Sequence, residues 1–144
     1  VLRSTSVERR LVNGVRGSLK NTDDEWTFWK KNDSIAVTID VGARKRLGKV
    51  SLGYLNHFGL GIHKPQRVEV WLSDNDVHYW KATEQTFGTD EIFAEGRFTE
   101  EMELIFKDVA RYVRVIMKGA GKCPEHHVRP GLEAQIYLDE VLIE

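Results

Sequence analysis

Apolar and polar side chains alternate with period two in several separate runs of the chain. IAVTID at 35–40, KVSLGY at 49–54, RVEVWLS at 67–73, RYVRVIM at 111–117 and AQIYLDEVLI at 134–143 all follow this pattern. Alternation of this kind turns one face of a strand toward a core and the other toward water. ELIF at 103–106 is too short to assign alone. FTEEMELIFKDV at 98–109 fits one or two amphipathic helical turns, but its β-rich flanks favour strand for its second half. No run supports a helix of three turns. Gly, Asn, Asp and Pro fill the gaps between the runs, so the pattern predicts an all-β sandwich or barrel. Its expected core includes Val37, Ile39, Val50, Leu52, Val68, Val70, Val113 and Val115.

Composition narrows the class without naming a function. The 144 residues suit one domain, and 41% apolar with 30% charged residues is ordinary for a globular chain. The 21 basic and 22 acidic side chains leave a formal charge of -1, which removes one argument for a nucleic-acid partner. No apolar run reaches the roughly 20 residues that span a bilayer. Neither a P-loop nor a dinucleotide fingerprint occurs, since GLGIH at 59–63 has the wrong spacing and no helical pattern after it. The chain opens on Val1 without a methionine, as expected of a processed or excised piece. Cys123 is a single cysteine and forms no internal disulfide. A catalytic thiol would need a base; His126 and His127 are close in sequence, but a packing or loop cysteine is the simpler reading.

The loops carry the chemistry. LNHFGLGIHKPQ at 55–66 brings His57, Phe58 and His63 between glycines, and KGAGKCPEHHVRPGLE at 118–133 brings His126, His127 and Arg129. The early DDEWTFW at 23–29 adds Trp26, Phe28 and Trp29. Loops at the end of a β-sandwich can face a ligand without breaking a sheet. An aromatic ring covers sugar C–H surface while imidazole and guanidinium bond to hydroxyls. Tryptophans in small β domains more often anchor the core or a loop, and Trp71, between Val70 and Leu72, belongs on an outer face. His57, His63, His126 and His127 also raise a transition-metal reading, although no pair has a recognised zinc spacing. Asp23, Asp24, Asp74, Asp76 and Asp90 are loop-like, and none is marked as the buried acid of a hydrolytic pair.

Glu140 is different. In a regular strand it shares a face with Ile136 and Leu138, and a buried carboxylate must be paired, hydrogen-bonded or bound to a cation. If the last strand returns beside the opening segment, Glu140 meets LVNGVRGS at 11–18, where Asn13 and Ser18 offer oxygens and Gly14 and Gly17 let the backbone curl. Convergent oxygens suit calcium. Backbone N–H groups on Glu140 are the alternative, and composition and spacing do not separate the two.

LVNGVRGS with EWTFW following, then SIAVTIDVG, KVSLGYL, PQRVEVWLSDND, ARYVRVIMKGAG and IYLDEVLI, resembles the discoidin-like domains, also called coagulation factor 5/8 type C or galactose-binding-like domains. The likeness is strongest to the C-terminal accessory domain of bacterial family 20 β-hexosaminidases, a glycoside hydrolase group. It covers residues 11–144; residues 1–10, VLRSTSVERR, are expected to be linker or a truncated edge segment. The resemblance implies a jelly-roll β-sandwich with a structural calcium ion beside the terminal strands. It places the calcium ligands at Asn13, where the family usually has an acid, at Ser18 and at Glu140, with carbonyls near Leu11, Arg16 and Asp139. It implies a non-catalytic module that binds carbohydrate weakly through end loops, with His57, Phe58, His63, His126, His127 and Arg129 as candidate contacts. A structural domain that packs on the adjacent catalytic domain of the same chain, without binding sugar, is the alternative. The resemblance also implies an extracytoplasmic location, and it gives neither the sugar nor the parent enzyme.

Overall fold

In the computed structural model the described residues are 17–21, 26–29 and 34–144. They form strands β1 (Thr27–Trp29), β2 (Ile35–His57), β3 (Arg67–Ser73), β4 (Trp80–Thr86), β5 (Arg97–Lys118) and β6 (Ile136–Ile143), with one 3-10 turn at Phe58–Leu60 and one helical turn at Thr89–Ile92. The strands pair antiparallel throughout, in the order β1-β6-β2-β5-β3-β4. The stretch 98–109 is strand along its whole length, inside β5.

The two long strands explain how one sheet makes a sandwich. β2 and β5 stay paired from Ile35↔Met117 to His57↔Arg97, with register shifts between Asp40 and Lys45 and between Leu47 and Lys49. Irregularities of this type bend and coil a sheet. The arms on either side of the bend turn their apolar faces onto the same core: Val37 and Ile39 from one, Val50, Leu52 and Tyr54 from the other. All eight core valines, isoleucine and leucine named from the alternation are buried, none more than 2% exposed.

β6 departs from the regular strand that the sequence suggested. Leu52 faces Val141, but Tyr54, two residues on, faces Leu138. Asp139 and Glu140 together therefore oppose the single residue Gly53, which is a β-bulge. The core-facing series runs Ile136, Leu138 and then Val141, so Glu140 does not continue the phase of Ile136 and Leu138. Asp139 and Glu140 are nonetheless both buried, at 3% and 2% exposure.

A smaller cluster of Trp26, Leu55, Ile62 and Tyr137 fastens the opening segment to the far end of the sheet. The Trp26 indole N–H donates to the Ser18 carbonyl at 3.0 Å. Its ring lies so close over Gly17 that a Cβ there would sit 2.3 Å from Trp26 Cε2, so only glycine fits. Trp26 is an anchor, not a ligand platform. Phe28 is about half exposed and stacks on Tyr137 with ring centroids 4.9 Å apart. Trp71 lies on the outer face as the alternation required, half-buried, its N–H donating to Glu69.

Candidate functional site

The two histidine-bearing loops meet at one end of the sandwich. The 3-10 turn closes on Gly61, whose φ of 70° suits glycine. Ile62 then bridges to both His57 and Gln135. His63 N–H donates to the Gln135 carbonyl at 2.9 Å, and Gln135 N–H to the Gly61 carbonyl at 2.8 Å. The second loop is closed on itself by Cys123 N–H to the Leu132 carbonyl at 2.7 Å and Gly131 N–H to the Cys123 carbonyl at 3.0 Å. Arg129 crosses between the loops, its Nε donating to the Gly59 carbonyl at 2.6 Å. Lys64, 7% exposed, pairs with Glu91 at 2.8 Å and lies 4.0 Å above the Phe87 ring, tying the helical turn to the same end.

Inside this end runs a directed chain of hydrogen bonds. Asn56 Nδ2 donates to the carbonyls of Ala94 and Gly96, both at 3.0 Å, which leaves Oδ1 as an acceptor. His63 Nδ1 lies 3.0 Å from that oxygen and must donate to it. His63 Nε2 is then an acceptor, 3.0 Å from His127 Nε2, which donates. His127 Nδ1 accepts the Arg129 N–H at 2.9 Å. Both imidazoles are therefore neutral, with tautomers fixed by their partners. Phe58 packs on the His127 ring at 4.1 Å and Phe93 meets the His63 ring edge-on at 5.1 Å. Burial, then the neighbouring His127, holds His63 down at about 4. Burial also lowers His127, and raises the Cys123 thiol. A low imidazole beside a high thiol is the reverse of an activated thiolate–imidazolium pair, so Cys123 is not arranged as a nucleophile.

The sequence candidates thus divide by exposure. His63 and His127 are 1% and 3% exposed and spend every ring nitrogen on protein partners, so they shape the end from within. His57 is half-buried against Gly59, with its Nδ1 buried and unpartnered. Phe58 is half-buried, and His126 and Arg129 are exposed. These three form the solvent-facing part of the set. Asn56 and Phe93 were missed in the sequence. Asn56 sits where a polar residue ends an alternating strand, a weak signal; Phe93 carries none.

At the bulge, Asp139 Oδ2 accepts the Gly17 N–H at 2.8 Å, so the opening segment is tied to the last strand through Asp139. A cavity of about 210 Å³ beside it is lined by Gly17, Gly53, Thr99, Glu100, Glu101 and Asp139. Ser18 is at the surface and its hydroxyl accepts the Lys20 N–H at 3.2 Å. Leu11, Asn13 and Arg16 lie outside the described residues. Asp139 and Glu140 are neighbouring buried carboxylates, oxygen donors of the type that a hard cation takes.

No protein-family model and no curated protein matches the chain. Solved structures do. The chain is similar to the CBM32 of AlyQ in complex with 4,5-unsaturated mannuronic acid, with TM-score 0.57, 17% identity, and coverage of 94% of this chain and 84% of that one. It is similar to CBM32-1 from a family 31 glycoside hydrolase of Clostridium perfringens, with TM-score 0.56, 16% identity, and coverage of 95% and 84%. It is also similar to the C-terminal domain of a chitobiase from Bacteroides fragilis, with TM-score 0.52, 16% identity, and coverage of 94% and 78%. At these identities the likeness establishes the fold alone, an all-β sandwich like that of these modules. It is a likeness to non-catalytic modules and not to hydrolase catalytic domains.

Proposed function

We propose that this chain is a non-catalytic carbohydrate-binding accessory module of a glycoside hydrolase, working through the loops 56–66 and 118–135. The observation that carries the reading is a loop-built end on this fold, cross-linked by Arg129 and presenting Phe58, His126 and Arg129 to solvent. Phe58 would cover the apolar face of a sugar ring, while Arg129 and His126 bond its hydroxyls. Such a site is shallow and of low affinity, and gains through attachment to a catalytic domain in the same chain. A bacterial β-N-acetylhexosaminidase is the parent that fits the sequence resemblance, and an extracytoplasmic location goes with it. Among the described residues no helix is long and apolar enough to cross a membrane.

A structural calcium ion belongs to the same reading. The Asp139 and Glu140 carboxylates would hold it, with further oxygens from the segment 11–18, and it would fasten the opening of the domain to its last strand.

An array of immobilised glycans probed with the purified chain tests the function. Retention on a defined galactose- or N-acetylhexosamine-containing subset, weakened in Arg129→Ala, supports the reading. Uniform lack of retention, with the chain binding its parent's catalytic domain instead, favours the structural alternative.

A further inference from the structure

We propose that His63, Cys123 and His127, whose ligand atoms converge inside the loop-built end, form a binding site for zinc(II), distinct from any calcium site at the β6 bulge. The ligating atoms of the three residues all lie within 4.8 Å of one another, and the residues are 1%, 4% and 3% exposed. Thiolate sulfur and imidazole nitrogen are the donors zinc prefers. Zinc bonds of about 2.0–2.1 Å to nitrogen and about 2.3 Å to sulfur, at tetrahedral angles, put donor atoms roughly 3.4–3.6 Å apart. The two imidazole nitrogens, 3.0 Å apart, need only a small parting.

The surroundings are those of a ligand histidine. His63 donates its remote N–H to Asn56 Oδ1, and Asn56 is itself held by two backbone carbonyls, so a lone pair on Nε2 is aimed into the cluster. Cys123 is fixed by both its own N–H and its own carbonyl. Phe58 and Phe93 keep the rings in place. Binding has a definite proton balance. Cys123 loses its thiol proton to solvent as sulfur bonds the metal. The His127 proton moves from Nε2 to Nδ1, which gives up the Arg129 N–H, and that group turns to water beside an exposed side chain. One proton is released per zinc, and the loop bearing His126 and Arg129 is adjusted as the metal enters.

Cobalt(II) tests this on the chelator-stripped protein, with calcium kept saturating so that the two sites are read apart. Cys123 is the single cysteine of the chain, so any thiolate-to-cobalt absorption in the near ultraviolet must come from it. One equivalent of cobalt is expected to produce that band, and zinc to abolish it. His63→Gln and His127→Gln are each expected to weaken cobalt binding at least 10-fold, while His78→Gln, in an exposed turn, leaves it unchanged. Absence of the thiolate band in the wild-type protein overturns the site, whatever the variants do. A band indifferent to both His63→Gln and His127→Gln also overturns it. If either variant fails to fold, a zinc-dependent rise in the wild-type melting temperature decides, and no rise overturns the proposal. Sugar binding is read separately, so loss of the zinc site leaves the carbohydrate reading standing.

Discussion

Replacing Asn56 by leucine removes the polar centre of the loop-built end while keeping the same branched arrangement of heavy atoms. The cost follows from which groups lose their partners. The Ala94 carbonyl loses the Asn56 amide, and His63 Nδ1–H loses its acceptor. The Gly96 carbonyl loses one donor but keeps the Phe58 N–H at 3.1 Å. His63 Nδ1–H is thus stranded in a buried site, while the Ala94 carbonyl, on a partly exposed residue, is not. A stranded buried polar group costs about 1–3 kcal/mol, so the loss should be about that size. Against a total of about 5–15 kcal/mol for a domain, that is a large fraction. Urea unfolding measures it, and an unchanged dependence on denaturant would show that both proteins expose the same surface. Combining Asn56→Leu with His63→Leu should cost less than the sum, because the second change removes the group the first strands. A loss below about 1 kcal/mol, or strict additivity in the pair, would refute the directed chain from Asn56 to His127.

Val70 is fully buried in β3, and Val70→Asp should cost at least about 3 kcal/mol in the same unfolding assay by burying an unpaired charge. Asp40 accepts two hydrogen bonds from Arg111, at 2.9 and 3.0 Å, and one from Gly42 N–H; the Arg111 bonds chiefly hold its carboxyl at about 2. Because the folded value lies below the ordinary carboxyl value of 3.8, this pair's stabilisation is present above pH 3.8 and is lost as pH falls through 2. Asp40→Asn should flatten acid unfolding in that window, by a modest amount because the Arg111 side chain is 38% exposed. If calcium binds at Asp139 and Glu140, chelation should lower the melting temperature and Glu140→Gln should blunt the response. A hundredfold excess of free calcium over Kd would stabilise by about 2.7 kcal/mol. Superimposable melts with and without calcium would remove the ion from the site.

The strands that face one core and water were legible from alternation alone: 67–73 is β3 with the same limits. What escaped has physical causes. β4, WKATEQT, is an edge strand with much of its surface exposed, so no apolar period marks it. β2 runs on through ARKRLG, where residues 43–46 are all exposed and only Leu47 is buried, so no alternation marks the stretch. The bulge at Asp139 and Glu140 inserts a residue and shifts the phase, which no single-strand pattern reports. At the site, the two loops were identified as chemically rich, but not which of their imidazoles would turn inward. That depends on the long-range pairing of Ile62 and His63 with Gln135, and on an asparagine 7 residues before His63.

The carbohydrate reading is tested most directly by a titration of the isotopically labelled chain with galactose and with N-acetylgalactosamine into the millimolar range, following every backbone amide. Saturable shifts confined to residues 56–66 and 118–135, and lost in Arg129→Ala while the fold is kept, are the expected result. No saturable shift in those loops with either sugar, or shifts centred elsewhere on the sandwich, would contradict it.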